Sequence, residues 1–421
     1  MGKRMDFRKR LASAAMVAFV GLSGPVHAEQ VTLTFANWAT AEGATRDGME
    51  KVISAFEAEN PDIKIESESI AFAEMARQLV LRLRSGNPPD VAQVAGNDTF
   101  ALALTKGLEP LQGYADAEFL GTLTPGAYEP LMMGEDLIAF PWNQAPAGLW
   151  YNKKLMADAG LDPENPPKTI DELNSAMAAI KEANPQVIVL GIDTTNRAFA
   201  LQSNWPWIRA FGADPVAEGG AEGEEMQAYL GWLRDISEKG YVDPGRKIGE
   251  FRPLFAQDQV AFLWDQVLVQ GVIQSTNGMS AEEFNQNYGV IPMPAGPGGE
   301  GYSFDGGHQL VMFGDSEHKE AAWKFMEYLG TNEAAIKTYT IETNRSIPPV
   351  KSIEDPAVAE LLDTPVIETF KNDIIPTISP MPFGPEFAEY ATVIMAGVQE
   401  AVTSDRPVAD IAAEIQNQIG N

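Results

Sequence analysis

The sequence predicts an α/β chain of two globular units behind a secretory leader, and three observations carry that prediction. Residues 31–95 alternate strand, helix, strand, helix, strand with short connections, the order that builds a parallel sheet covered by helices. Removing a 28-residue leader leaves 393 of the 421 residues, enough for two domains of roughly 100–200 residues each. Amides and aromatic residues recur where strands end, which is where open α/β sheets hold their ligands.

The leader comes first. MGKRMDFRKR carries five basic residues and one acidic, Leu11 to Leu22 is apolar, and Val26-His27-Ala28 offers a small-x-small cleavage site. The apolar run is too short to span a bilayer, and no second run of spanning length follows. Cleavage after Ala28 is therefore expected, with export to the periplasm. The chain has no cysteine, so disulfides, thiol catalysis and a lipoprotein tether are excluded.

The formal net charge is −29, and removing the leader's +4 makes it −33. Such a surface repels nucleic-acid phosphates and anionic lipid headgroups, so neither is expected as a partner; its ordinary role is solubility. His308 and His318 are the histidines outside the leader, too few for a zinc site of several imidazoles. No metal or cofactor is expected.

VTLTFANW (31–38) reads as the first strand. Met49, Val52, Ile53 and Phe56 recur at helical spacing between Ala41 and Asn60, and Pro61 ends that helix. DIKIESESI is a strand of period two, Ala73 to Arg84 a helix, and SGNPPDVAQVAG a turn entering the third strand. Residues 150–250 read as helical with Gly and Pro punctuation, and Thr169 with Glu172 forms a capping-box pattern. PMPAGPGGEGYS (292–303) lacks the Gly-Lys-Ser/Thr of a phosphate loop and reads as a flexible surface loop.

The strand exits present Asn37 and Trp38, then Gln93, Asn97 and Asp98, then Trp142, Asn143 and Gln144. Amides and aromatics at strand exits point to a small polar ligand, since polar groups there must be exposed or satisfied. Trp205, Trp207 and Trp264, the last followed by Asp265, read as further aromatics at exits or in loops. Trp150, Trp232 and Trp323 fall in apolar periodic segments and read as core.

Four blocks then carry a resemblance. They are SGNPPDVAQV (85–94), AGLWYNKKLMADAGLDPENPPKTIDEL (147–173), LFAQDQVAFLWDQ (254–266), and YGVIPMPAGPGG with DGGHQLVMFGDSEHKEAAWKFMEYL (288–299 and 305–329). In this order they resemble the extracellular sugar-binding proteins of bacterial ABC importers, relatives of maltose-binding protein. Gln257-Asp258 stands where that family usually has a glycine.

The resemblance implies a two-lobed periplasmic-binding-protein fold of class II type. Each lobe would hold a mainly parallel sheet, and crossover strands would form a hinge. The crossovers would fall near Trp142–Ala145, Gly307–Gln309 and Ser346–Lys351, giving one lobe of 29–143 plus 308–350 and another of 144–307 plus 351–421. It places Gly306, Gly307, His308 and Arg345 at the cleft, with Arg345 suited to an anionic group on the ligand. It also implies a monomer that hands a carbohydrate to membrane-embedded ABC permease subunits. An exported glycoside hydrolase is the rival reading; with 58 acidic residues after the leader, a pair of carboxylates arises by chance and discriminates nothing.

Overall fold

The computed structural model describes residues 30–379, 381–384 and 386–420. The expected leader and its cleavage site lie outside them. Among the described residues, nine strands build the two main sheets: β1 (Val31–Asn37), β2 (Ile63–Ser69), β3 (Val91–Ala95), β4 (Phe140–Asn143), β5 (Ala147–Asn152), β6 (Ile188–Gly191), β7 (Val260–Gln266), β8 (Tyr288–Ile291) and β9 (His308–Met312). They form one sheet of order β2-β1-β3-β9-β4 and another of order β8-β5-β7-β6. Each sheet anchors one lobe.

Local sequence explains the first lobe well. The helix Arg46–Glu59 buries Met49, Val52, Ile53 and Phe56, the four residues whose spacing marked it. Its start is later than expected because Trp38 to Thr45 form turns, with the Trp38 carbonyl accepting from the amides of Ala41 and Glu42 at 3.0 Å. Phe35, Phe56, Phe140 and Phe325 meet in this lobe's core.

The sheets are mixed. β1 runs parallel to β2 and β3, and β6 parallel to β7. β9 is antiparallel to both β3 and β4, and β5 is antiparallel to β7 and β8. The expectation of mainly parallel sheets is corrected at these strands. A strand entering from the other lobe is not tied to its neighbour by a helical crossover, so that constraint on its direction is absent.

The second lobe departs further from the sequence reading. The region taken as helical also contains β6, and Trp205 and Trp207 sit inside the helix Ala198–Ala210 despite Pro206. Proline forfeits one backbone hydrogen bond there, and burial of nearly the whole helix outweighs that local preference. The loop 292–303 is pinned: the Gly298 amide donates to the Ala210 carbonyl at 2.9 Å, and the Ala295 amide to Lys168 at 2.9 Å. The capping pattern is half formed, since Thr169 accepts from the Glu172 amide while the Glu172 carboxylate accepts from the Lys168 amide. The terminal helices Phe387–Thr403 and Val408–Ile419 close this lobe against Ala198–Ala210 and Glu224–Glu238.

Asp258 occupies the left-handed conformation, φ 57°, within the Gln257-Asp258 pair where the resemblance implied a glycine. Aspartate tolerates that geometry better than most residues. Its carboxylate accepts from the Asn152 amide at 2.6 Å and the Tyr288 hydroxyl at 3.2 Å.

Between the lobes, residues 144–147 and 304–306 lie side by side. The Ala147 amide donates to the Phe304 carbonyl at 3.0 Å, and the Gly306 amide to Ala145 at 3.1 Å. Gln144 and Ile347 exchange backbone hydrogen bonds at 2.8 and 2.9 Å, which brings a third stretch alongside. Gly307 is required by space: a Cβ there would overlap the Asn143 carbonyl oxygen, a backbone atom that cannot swing away. Gly307→Ala is expected to lower the melting temperature and alter ligand affinity together, measured by calorimetry with and without ligand; wild-type values for both would show that the ribbon tolerates the methyl group.

Candidate ligand-binding site

Where β1, β3, β9 and β4 meet the crossover ribbon, polar side chains lose contact with water. Gln93 is fully buried. Its Oε1 accepts from the backbone amides of Trp38 at 3.2 Å and Ala39 at 3.1 Å, which fixes the amide's orientation. Its Nε2 therefore donates, and the atom it reaches is His308 Nδ1 at 3.1 Å. An accepting Nδ1 requires that the neutral imidazole carry its proton on Nε2.

Burial holds the His308 pKa down to about 4, so the ring is neutral at physiological pH. The Nε2–H has no protein acceptor among the described residues. The half-buried ring meets Trp38 edge-on, with centroids 5.0 Å apart. A folded-state pKa below the unfolded value means that the unfolded chain binds more protons between the two. Stability should accordingly fall as pH drops from about 6.5 toward 4. Denaturation midpoints compared at pH 6.5 and 5.5 should differ less in His308→Gln; equal slopes would remove His308 as the source. Asp305, whose carboxyl pKa burial raises, acts in the opposite sense at lower pH.

Asn143 adds an acceptor and a spare donor. Its Oδ1 receives the His308 amide and the Asn344 side chain, each at 3.3 Å. Among the described residues its Nδ2 is buried without a partner. A buried donor left unpaired costs about 1–3 kcal/mol, which marks this atom as one that a ligand oxygen would relieve. Tyr339, stacked on Trp142 at 4.7 Å, has a buried hydroxyl without a partner of ordinary geometry; Gln93 is near enough to lower its pKa against the larger raising effect of burial.

Asp305 accepts from the amides of Ala145 at 2.7 Å and Gly307 at 2.8 Å. The Gln144 side chain stands close enough to offset part of the burial effect on that carboxyl, although its Nε2 makes no hydrogen bond of ordinary geometry. Arg345 holds φ 56° at the third interlobe stretch, and its guanidinium lies against Gly271 of the helix Val269–Asn277. Among the described residues it makes no hydrogen bond or ion pair.

The structure thus gathers Trp38, Gln93, Asn143, Gln144, Gly306, Gly307, His308 and Arg345 along the ribbon and the adjoining sheet edge. Asp98 lies half-buried in the first turn of the helix Gly96–Leu104, near that edge; the Asn97 side chain lies outside the described residues. Six expected contacts are corrected. Asn37 is consumed locally: its side chain bonds Phe35, Thr40 and Ser67 and builds the turn after β1. Trp142 is fully buried, its indole N–H donating to the Leu329 carbonyl at 3.2 Å.

Trp207 and Trp264 lie in the second lobe's core, edge-to-face at 5.6 Å, with Trp207 stacked on Trp232 at 5.2 Å. Asp265 is clamped by Arg252 through two hydrogen bonds of 2.7 and 3.0 Å. Trp205 is 3% exposed within the same core.

Other residues near the cleft had escaped notice. Phe72, among the few exposed large apolar side chains, meets Phe199 of the other lobe edge-on at 6.1 Å, and its opposite contact is Trp38 at 5.2 Å. It follows the exit of β2, so the strand-exit rule could have found it. Asp305 stands in the crossover block itself. Tyr339 gave no local signal, because it reaches the site from a helix far along the chain.

Comparisons agree with this architecture. The chain is 25% identical over 327 residues to a putative binding protein of Brucella abortus, covering 75% of each. It is 25% identical over 351 residues to the sn-glycerol-3-phosphate-binding periplasmic protein UgpB of Escherichia coli K12, covering 78% of this chain and 77% of UgpB. Among solved structures, maltose-bound MalE3 of Thermotoga maritima superimposes with a TM-score of 0.77 at 22% identity, covering 93% of this chain and 99% of that one. A Thermotoga lettingae ABC transporter solute-binding protein, bound with α-D-tagatose, gives 0.72 at 22% identity, covering 93% and 100%. The family model described as bacterial extracellular solute-binding protein matches residues 42–336, more than half the chain. The two lobes, their crossover ribbon and this match together make the chain a member of the bacterial extracellular solute-binding protein family.

Proposed function

We propose that the protein captures a carbohydrate or related polyhydroxylated solute between its lobes and delivers it, as a periplasmic monomer freed of its leader after Ala28, to the permease subunits of an ABC importer. The lobes in this reading are residues 29–143 with 308–350 and 144–307 with 351–421. The observation that carries it is the set of buried Gln93 and Asn143 with half-buried His308, which among the described residues leaves an Nε2–H and an Nδ2–H unused beside the Trp38 ring. Those donors suit ligand oxygens, while Trp38, 4% exposed in the first lobe's core, backs His308. Relatives whose names specify sn-glycerol 3-phosphate, maltose or tagatose support a polyhydroxylated ligand.

The glycoside hydrolase reading receives no support, since the family is one of binding proteins. A second form of the proposal rests on Arg345: its unpaired guanidinium favours a ligand bearing phosphate or carboxylate. Ligand that touches both lobes shifts the protein toward the closed state in proportion to its preference for that state.

A thermal-shift panel of sugars, polyols and sugar phosphates tests both forms. A binding ligand should raise the melting temperature by linkage and reduce the radius of gyration in solution scattering. Greater stabilisation by sugar phosphates than by neutral sugars, abolished in Arg345→Gln, would establish the anionic form. Silence across the whole panel would refute the carbohydrate assignment.

A further inference from the structure

β7 ends on Gln266, beside the crossover ribbon. Residues 304–306 pair antiparallel with 145–147 and are extended, so alternate residues share a face. A Cβ on Gly306 would overlap Gln266 Nε2 and would meet the Phe304 ring at 3.4 Å. The Gln266 carboxamide therefore lies over the face that Phe304 and Gly306 share, and His308 continues that face two residues on. A second line of contacts joins the same two residues through both lobes. The helix Ala198–Ala210 covers the face of β7 that carries Trp264, whose indole N–H donates to Ser203 of that helix, and Gln266 follows two residues later on the same face. Phe199, at the start of that helix, meets Phe72 at 6.1 Å; Phe72 meets Trp38 at 5.2 Å, and Trp38 meets His308 at 5.0 Å.

The backbone of Gln266 is fixed on both sides. Its N–H donates to Asp265 Oδ1 at 2.8 Å, and its carbonyl accepts from the Trp150 indole at 3.2 Å. Its side chain, on a half-buried residue, makes no hydrogen bond among the described residues. The carboxamide is thus held by packing against the ribbon while its donor and its acceptor stay unused. The groups left over in the first lobe, His308 Nε2–H and Asn143 Nδ2–H, only donate. A ligand hydroxyl must also give away its own proton, and a carboxamide oxygen can take it.

We propose that the Gln266 carboxamide reads a hydroxyl of the captured solute from the second lobe, on the ribbon face it shares with His308, and so couples capture to closure. The assignment rests on the carbohydrate reading above and adds the second lobe's contact to it. A solute held by the first lobe alone leaves the balance between open and closed forms where it was; one that also reaches Gln266 shifts it toward the closed form.

The test is calorimetric titration and solution scattering of the mature chain with glucose, galactose, mannose, xylose, cellobiose and glucose 6-phosphate. For each of these that binds the wild type, Gln266→Ala should weaken binding roughly tenfold or more. It should also remove most of the ligand-induced fall in radius of gyration. The ligand-free melting temperature should stay at the wild-type value, because the side chain has no hydrogen-bond partner in the protein to lose. Gly306→Ala should weaken binding similarly, since its methyl group displaces the flexible end of Gln266; in the Gln266→Ala background it should add less than about twofold. Gln266→Asn, should the alanine variant fail to fold, withdraws the amide by one methylene and should show the same loss. Wild-type affinity and wild-type closure in Gln266→Ala would overturn the assignment and leave the carbohydrate reading standing. Binding of none of these sugars by the wild type would overturn both.

Discussion

Trp264→Ala is expected to cost the protein about 3–5 kcal/mol of stability, the range for deleting a large buried aromatic side chain. Trp264 is fully buried in β7, where it faces Leu149 across the sheet. Its indole N–H donates to the Ser203 carbonyl at 2.9 Å, tying the strand to the helix Ala198–Ala210. Its ring meets Trp207, which stacks in turn on Trp232, so removal opens a cavity at the centre of three interlocked elements. Chemical denaturation should show a lower midpoint in the transition reporting the second lobe, with Trp264→Phe intermediate. A midpoint within experimental error of wild type, with ligand affinity lost instead, would return this residue to the cleft wall where the sequence had placed it.

Arg252→Met should be comparably severe for a different reason. The Asp265 carboxylate is 2% exposed, and Arg252 Nε and Nη2 are the charged donors that compensate it. Burial alone would lower the Arg252 pKa, but the charge and hydrogen bonds of Asp265 outweigh it and leave that pKa raised. Removing the cation strands a buried anion, a change that costs about 3–5 kcal/mol in comparable pairs. The double variant Arg252→Met with Asp265→Leu should recover much of the loss, since replacing a whole buried pair by apolar groups is often close to neutral. Thermal denaturation of the single and double variants checks this; a double variant no better than the single would show that packing around Asp265, rather than its charge, sets the cost.

The two variants also show how far the sequence could be read. The apolar spacing of Met49, Val52, Ile53 and Phe56 announced both the helix and its buried face, because a 3.6-residue period leaves one stripe to bury. The Gly306-Gly307 pair was visible in the DGGHQL block, and the Asn143 carbonyl beside Gly307 shows the steric reason for the second glycine. Tryptophans 142, 205, 207 and 264 turn into the cores instead, because an indole near a strand end can turn toward helices or toward solvent. Residues 207, 232 and 264 are distant in sequence and become neighbours only when the second lobe folds.

By itself the sequence determined the α/β class, through periodicity, and the family, through the order of its short blocks; the two-lobed form came with that resemblance. Tertiary structure decided which polar groups remain available. Asn37, Asp265 and Gln93 spend their hydrogen bonds on Thr40, Ser67, Arg252 and His308, whereas among the described residues Asn143 keeps an Nδ2–H and His308 an Nε2–H. Hydrogen bonds saturate, and their partners come from remote segments, so the surplus at any one side chain exists only in the folded arrangement.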